Sequence, residues 1–165
     1  VYKRQMRNAI KKNYNPVNSE PMSQGTRCRQ LAMYVIFDSP LNMLCDNPSN
    51  YKREPECTAF IARIPTVWDE TLGLDGKVGE YITMARRSGD EWYVGGLTNW
   101  DKRDIIVDLS FLGEGFYEIE LFKDGINADR AACDYKRVVM PVPEDRQLKV
   151  TLFPGGGFAG RIERR

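Results

Sequence analysis

The hydrophobic periodicity of this chain changes once, near Gly73, and that change constrains the fold more than any other feature of the 165 residues. Before Gly73, apolar residues recur three and four positions apart, as on one face of an α-helix. After it, apolar and polar residues alternate, as they do along a β-strand with one buried face. We therefore predict two units of different architecture, residues 6–72 and residues 73–165.

The first unit predicts a single helix–strand–helix. Ser23 can cap a helix over residues 23–37, whose apolar positions follow an i, i+3, i+4, i+7 pattern. Leu41–Cys45 is short, apolar and bounded by turn residues, as a buried strand would be, and a second helix is predicted over residues 54–64. A (β/α)₈ barrel repeats this unit and needs eight strands and about 250 residues to close. We therefore interpret residues 6–72 as the C-terminal remnant of such a barrel.

The start of the chain gives a second reason to expect a fragment. Residues 1–5, VYKRQ, are what a sequencing-library adapter would encode, so we interpret them as an adapter or cloning scar and exclude them from the fold. The alternative is that they are ordinary sequence. A short helix is predicted over residues 6–12. Because a scar joined to the middle of a domain implies a truncated reading frame, we expect the chain to be the end of a larger protein.

The second unit predicts an antiparallel β-sandwich. Strands Glu80–Arg86 and Glu91–Leu97 flank Ser88-Gly89-Asp90, which is a hairpin signal. A short helix is predicted over residues 126–132. About seven short strands separated by turns are typical of a sandwich. The predicted fold class is therefore α+β, with the last helix–strand–helix of a (β/α)₈ barrel followed by an antiparallel β-sandwich. The remaining strands are predicted over residues 105–109, 117–121, 138–142, 148–152 and 158–162.

Composition excludes several classes of function. The chain contains no histidine, and this removes the commonest general base and the commonest zinc ligand. The four cysteines form no C-x-x-C pair, and we interpret Cys28 and Cys57 as buried free thiols because they are in phase with apolar helix positions. A net charge of +1 gives no electrostatic basis for binding nucleic acid. No apolar run reaches the roughly 20 residues that a membrane span needs.

Five segments carry a resemblance to a known family. They are GTRCRQLAMYVIFDSPLNMLCDNPSNY, PTVWDET, GEYITMARRSGDEWYVGGLTNW, FKDGINADRAACDY and PGGGFAGRI. With the residues between them, they resemble the C-terminal part of glycoside hydrolase family 97 over essentially residues 6–165.

The resemblance implies a fold and an activity for the parent protein. Family 97 is similar to other α-glycosidases, with a (β/α)₈ catalytic barrel between an N-terminal and a smaller C-terminal β-sandwich. Its members hydrolyse α-glucosides or α-galactosides, generally with a bound calcium. The resemblance implies that residues 23–37 are barrel helix seven, 41–45 strand eight and 54–64 helix eight, and that residues 73–165 are the C-terminal sandwich.

The resemblance also implies what this chain lacks. The family's catalytic carboxylates and calcium ligands precede this region, so we assign no catalytic and no metal-binding residue here and expect the isolated fragment to be inactive. The parent's partners would be an oligosaccharide substrate and the missing barrel and N-terminal domain, with homo-oligomerisation left open. Export to the periplasm is expected, since family members are often exported in Gram-negative bacteria. The sequence does not fix whether the substrate is a glucoside or a galactoside, nor whether hydrolysis retains or inverts the anomeric configuration.

Five residues are candidates for a position near the substrate. The active site of such barrels lies at the C-terminal ends of the strands. Asp46 would therefore sit at the end of strand eight, with Asn47 and Tyr51 in the following loop. Gln24 and Arg27 would begin helix seven near the same face, where backbone N–H groups are free. The alternative is structural, because Asp-Asn-Pro is good turn chemistry and residues at a helix start are usually solvated.

Other features are interpreted as structural. Adjacent Asp69 and Glu70 would point to opposite faces of an extended segment, so they cannot converge on one sugar as paired catalytic carboxylates do. The three tryptophans are expected to fill cores. Coplanar exposed aromatics would instead favour the main rival interpretation, a carbohydrate-binding or oligomerising β module. A plain structural domain is the third interpretation.

Truncation itself predicts an exposed surface. The apolar stripe of the first helix would lose the barrel sheet it packs on, and the strand Leu41–Cys45 would lose its neighbours. We therefore expect the helical unit to expose apolar surface, and residues 73–165 to be the autonomous unit.

Overall fold

Three layers build the structure, which is a computed structural model that describes residues 7–19, 21–39 and 41–165. Helices cover one face of a six-stranded antiparallel sheet, and a two-stranded ribbon covers the other face. The VYKRQ segment lies outside the described residues. The elements are β1 (Asn8–Ala9), β2 (Ser23–Gln24), α1 (Arg27–Ile36), α2 (Pro48–Arg53), α3 (Pro55–Arg63), β3 (Glu70–Lys77), β4 (Tyr81–Ser88), β5 (Glu91–Thr98), β6 (Arg103–Asp108), β7 (Tyr117–Asp124), β8 (Tyr135–Pro141), β9 (Gln147–Leu152) and β10 (Gly157–Arg164).

The first helix is confirmed, but it begins later than predicted. Thr26, not Ser23, is the N-cap, and its Oγ1 accepts a hydrogen bond from Arg29 N at 3.1 Å. Ser23 instead lies in β2, which pairs in parallel with β1. The helix predicted over residues 6–12 is therefore wrong. The physical reason is that backbone pairing of the two short segments takes the place of local helical hydrogen bonds.

The buried strand predicted over Leu41–Cys45 is also wrong. No strand of two or more residues lies there within the described part of the chain, and Leu41 and Leu44 are 76% and 51% exposed. A strand needs neighbours for its N–H and C=O groups, whereas a helix pairs its own. The second predicted helix is confirmed as α3, and the preceding α2 was not predicted.

The strands of the second unit follow the prediction closely. The six-stranded sheet has the order β3-β4-β5-β10-β7-β8, and β6 and β9 form the ribbon. The seven predicted strands correspond to β4–β10. β3 was missed because it contains Gly73 and Gly76 and a register shift between Gly73 and Asp75, which interrupt the alternation. The helix predicted over residues 126–132 is wrong, because that segment forms turns.

Two cores lie on opposite faces of the six-stranded sheet. On the ribbon face, Val107 of β6 and Val150 of β9 pack with the inward residues of β5, β7 and β10. On the helix face, α1 crosses the centre of the sheet and buries its stripe against Tyr93 and Phe122. A Cβ on Gly95 of β5 would lie 3.1 Å from the Cβ of Val35, so the helix approaches the sheet as closely as glycine allows.

The apolar stripe of α1 is thus fully covered, and the expectation that it would be exposed is wrong. Cys28, Leu31, Ala32 and Val35 have no exposed surface, which also confirms Cys28 as a buried thiol. The physical reason is that the six-stranded sheet offers α1 a complementary apolar face on which the stripe packs. In the described residues, no helix has the length and apolar character to cross a membrane.

Candidate functional site

Arg27 lies in the first turn of α1 and is almost entirely buried. Its Nη1 is 2.8 Å from Glu54 Oε2, and its Nε donates a hydrogen bond to Asn8 Oδ1 at 2.6 Å. Burial would lower the pKa of this guanidinium, but the hydrogen bond with Glu54 opposes burial and leaves the pKa above its usual value. Arg27 is therefore a permanent buried cation that ties β1, α1 and α3 together. The interpretation that helix-start residues are solvated is wrong for Arg27.

Asp46 and Asn47 organise the loop that leads into α2. Asp46 Oδ1 accepts hydrogen bonds from Asn47 N at 2.7 Å and from Asn50 Nδ2 at 2.6 Å, while its Oδ2 accepts from Arg7 N at 3.3 Å. Asn47 Oδ1 accepts from Ser49 N at 2.8 Å, so Asn47 is the N-cap of α2. These contacts give both residues a structural function in the loop.

Tyr51 and Gln24 lie in different environments. Tyr51 is buried in the helix-side core with Cys57 and Phe60, and burial raises the pKa of its phenol. Gln24 is exposed in β2, opposite Ala9 of β1, and does not begin a helix as predicted. The segment Ser23–Gln24 is held in the β1–β2 pair, which is why it cannot continue into α1.

One cleft contains a single residue of the predicted set, Arg27. It has a volume of about 300 Å³ and contains Arg27 together with Asn50, the residue that holds Asp46. Glu54 is its single carboxylate, and that group is already engaged by Arg27. A glycoside hydrolase needs two carboxylates that flank the scissile bond, so this cleft does not have the groups for hydrolysis. The lining residues are Arg7, Arg27, Asn50, Arg53, Glu54 and Cys133.

A calcium site is not formed by the residues that the structure describes. Calcium takes six to eight oxygen ligands, with carboxylates prominent among them. In the described ranges, no group of three or more acidic or cysteine side chains is placed to hold a metal ion. The donor set of this part of the chain therefore does not fit calcium.

Asp69 and Glu70 serve the hairpin rather than a sugar. Asp69 Oδ2 accepts a hydrogen bond from Gly89 N at 2.7 Å in the β4–β5 turn. Glu70 Oε2 accepts from Arg87 Nε at 3.1 Å. The two carboxylates thus fasten the start of β3 to the β4–β5 hairpin.

Two buried carboxylates were missed by the sequence analysis. Glu120 alternates with apolar residues along β7, a pattern typical of a solvent-facing side chain, but helices cover that face of β7. Its oxygens lie 2.5 Å from Arg63 Nη2 and 2.8 Å from Arg137 Nε. Asp124 at the end of β7 accepts from Phe153 N and Gly157 N, and burial raises its pKa to about 6. No sequence signal distinguishes either residue from an exposed strand acid.

The tryptophans contribute to the packing, as expected. Trp92 packs on Phe111 with ring centroids 4.6 Å apart, and Trp68 packs edge-on against Tyr93 at 5.4 Å. Among the large apolar residues exposed in the described ranges, Phe116 is the single aromatic one. A flat aromatic platform for sugar stacking is therefore absent from this part of the chain.

The chain was compared with known proteins. A family model described as "Glycosyl-hydrolase 97 C-terminal, oligomerisation" matches residues 67–163. The chain is 68% identical over 158 residues to the retaining alpha-galactosidase of Bacteroides thetaiotaomicron, in an alignment that covers 96% of this chain and 24% of that protein.

Solved structures give the same result. The glycoside hydrolase family 97 enzyme from Pseudoalteromonas sp. strain K8, in complex with acarbose, matches with a TM-score of 0.81 and 35% identity over 86% of this chain and 23% of that one. A β-arabinopyranosidase matches with a TM-score of 0.73 and 29% identity over 87% and 22%. This chain thus spans about a quarter of the length of these relatives. Since the family model covers more than half of its residues, the chain belongs to glycoside hydrolase family 97 and corresponds to the C-terminal region of that family.

Proposed function

We propose that this chain is the C-terminal part of a retaining α-galactosidase that releases terminal α-linked galactose from oligosaccharides. The observation that carries the proposal is the 68% identity to a retaining alpha-galactosidase along 96% of the chain. In a retaining mechanism, one carboxylate attacks the anomeric carbon while a second protonates the leaving oxygen, with the two groups about 5 Å apart. Both carboxylates would be supplied by the part of the parent that precedes this region.

The helical unit would be the last part of the catalytic barrel in the parent. Its support is physical: α1 and α3 are anchored on the six-stranded sheet by the apolar core and by the ion pairs of Glu120. A barrel element fixed in this way would hold the C-terminal ends of the barrel strands rigidly. On this proposal, the loop around Asp46 would approach the substrate side of the barrel. Calcium binding in the preceding domains and export to the periplasm belong to the same proposal.

The β-sheet unit would serve assembly of the parent into oligomers. The description of the matching family model names oligomerisation. A carbohydrate-binding role has less support, because Phe116 is the single exposed large aromatic side chain among the described residues. The proposed function of the sheet is therefore to join copies of the enzyme rather than to hold its substrate.

The activity is tested on the full-length parent protein. Purified parent enzyme should hydrolyse an aryl α-galactoside at least tenfold faster than the matching α-glucoside. The first sugar released should be the α-anomer, observed by proton NMR. A preference for the α-glucoside, or release of the β-anomer, would overturn the assignment.

The proposal that the catalytic carboxylates lie outside this chain is tested on the 165-residue chain alone. It should release no sugar from either aryl glycoside, because it contributes neither catalytic carboxylate. The matched control is the parent enzyme at the same molar concentration. Turnover by the purified chain above the buffer rate would contradict the proposal that the catalytic groups lie elsewhere.

A further inference from the structure

The two edge strands of the six-stranded sheet differ in how they are protected. Proteins protect exposed sheet edges with bulges and short or interrupted strands, since an open edge pairs with other chains. β3 has both a register shift and two glycines. β8 pairs with β7 over seven residues without a register shift, and its Val139 is 51% exposed. β8 carries Lys136, Arg137 and Pro141, which also protect edges, but it is the more regular of the two open edges.

The backbone groups that β8 presents outward follow from its pairing with β7. Gly125 N donates to Asp134 O at 3.0 Å, and Val142 N donates to Tyr117 O at 2.9 Å, at the two ends of the ladder. Hydrogen-bonded and non-hydrogen-bonded pairs alternate along an antiparallel ladder. Every second residue of β8 between these ends therefore directs its N–H and C=O away from β7. These residues are Tyr135, Arg137 and Val139, followed by Pro141 with its C=O alone.

We propose that β8 is the surface on which a second copy of this chain pairs, antiparallel, about a two-fold axis through Val138. The inference rests on the assembly role proposed above and specifies its surface. In this register Arg137 of each copy lies opposite Val139 of the other, and the two residues exchange both backbone hydrogen bonds. Tyr135 N–H meets the C=O of Pro141, which has no N–H to leave unpaired. The two sheets join into one of twelve strands through an isologous contact.

The charges on β8 do not oppose this pairing. Arg137 is already neutralised, with its Nε 2.8 Å from Glu120 Oε1 and its Nη1 3.5 Å from Glu56 Oε1. Lys136 faces Met140 of the other copy across the axis. The two Lys136 residues are offset by four positions, about 13 Å along the strands at ~3.4 Å per residue. That separation exceeds the screening length of about 8 Å at physiological salt, so their repulsion is small.

Two exposed apolar side chains, Phe116 and Ile126, lie near the two ends of β8. Phe116 precedes β7 beside the Val142 end of β8, and Ile126 follows β7 beside the Asp134 end; both are largely exposed. A two-fold axis through Val138 brings the Phe116 end of one copy to the Ile126 end of the other.

A matched pair of proline substitutions tests the surface. Val139→Pro removes an outward N–H from β8 without breaking a bond to β7. Ile106→Pro is the control. The β6–β9 ladder continues into the bond from Leu109 N to Arg146 O at 2.8 Å, so the Ile106 N–H also points outward, and Ile106 is 57% exposed. Val139→Lys is a second variant, which replaces an exposed apolar side chain on the edge with a lysine, the charged residue that most often prevents pairing at sheet edges.

The 165-residue chain and its variants are compared by sedimentation velocity over a range of concentrations, with circular dichroism to verify folding. The wild-type chain and Ile106→Pro should form dimers with similar dissociation constants, while Val139→Pro and Val139→Lys raise the constant at least tenfold. A wild-type dimer that survives both Val139 variants would overturn the β8 surface and leave the assembly role intact. A dimer lost only in Ile106→Pro would relocate the surface to the ribbon. A wild-type chain that is monomeric throughout would overturn the assembly role as well, whereas the galactosidase assays are independent of all these results.

Discussion

Helix α1 and the segment Leu41–Cys45 were predicted on the same basis, as neighbouring elements of one barrel repeat. In the structure the helix forms and is buried, whereas the segment forms no strand and is exposed. The apolar stripe of α1 is completely buried, while Leu41 and Leu44 face solvent. A helix satisfies its own backbone and can pack on any complementary apolar surface. A buried strand needs a neighbour on each side, and within the described residues Leu41–Cys45 forms no strand of two or more residues. A helix predicted from its apolar stripe can therefore form on a different partner, whereas a predicted strand depends on particular neighbours.

The largest expected effect comes from shortening one leucine side chain in each of the two regions. Leu31→Ala in α1 should lower the free energy of unfolding by about 3 kcal/mol, because it removes fully buried atoms and leaves a cavity. Leu44→Ala, the same change at an exposed site, should lie within about 0.5 kcal/mol of the wild-type chain. Urea denaturation measures both values. Equal effects at the two sites would mean that the comparison between them is wrong.

A smaller effect is expected from Asp124, which links α1 to the sheet. Its carboxylate accepts hydrogen bonds from Thr26, the N-cap of α1, and from Phe153 N and Gly157 N. Burial raises its pKa from 3.8 to about 6, so the folded state binds the proton more tightly than the unfolded state. The stability that this group contributes is therefore fully present below about pH 3.8 and is lost as the pH rises through 6.

Asp124→Asn isolates that contribution because the amide cannot ionise. Between pH 4 and pH 7, the wild-type chain should lose about 2 kcal/mol relative to the variant, an order of magnitude set by ~1.4 kcal/mol per pKa unit. Chemical denaturation of both proteins at each pH gives the difference directly. Parallel pH profiles would show that Asp124 does not titrate in this range.

Close packing of α1 on the sheet is tested at Gly95. Gly95→Ala introduces a Cβ 3.1 Å from Val35 Cβ and should cost about 1–2 kcal/mol by overpacking. Gly73→Ala in β3 is the control, since no atom lies within 4 Å of the added carbon. Adding Val35→Ala to Gly95→Ala should cost less than the sum of the two single changes. A double-mutant cycle measured by thermal denaturation gives this sum. If the effects of the two substitutions simply add, the side chains at positions 95 and 35 are not in direct contact.

The smallest effect on stability is expected in the exposed segment. Replacing both Leu41 and Leu44 by Ser should change the free energy of unfolding by less than about 0.5 kcal/mol. The double variant should nevertheless bind less of a dye that reports exposed apolar surface, and should remain soluble at higher concentration. Unchanged dye binding would place the exposed apolar surface elsewhere in the molecule.

The fold could be predicted where local pattern and environment agree. Strands β4 to β10 were predicted because apolar and polar residues alternate along each of them, and α3 because its apolar stripe is regular. β3 could not be predicted, because two glycines and a register shift remove the alternation from its sequence. The start of α1 was predicted at Ser23 because Ser and Thr are both good N-cap residues. Ser23 is instead held in the pairing of β1 with β2, and Thr26 is the N-cap.

The candidate site was less predictable than the fold. Arg27 alone of the five candidates lines the cleft, where it lies near Asn50, which donates a hydrogen bond to Asp46. The roles of these side chains depend on distant partners: Arg27 on Glu54, and Asp46 on Arg7 N. A residue's charge and spacing indicate where it can lie, but its pKa and its contacts depend on burial.

The sequence by itself determined the change of periodicity near Gly73, most of the strands, the apolar stripe of α1 and the resemblance to glycoside hydrolase family 97, because these are local patterns repeated along the chain. Only the tertiary structure decided that one sheet has two covered faces, that Glu120 and Asp124 are buried, and that β8 is the more regular of the two open edges. The physical reason is that these features depend on which elements meet. The same alternating strand can face solvent or a helix, and the sequence of the strand is identical in both cases.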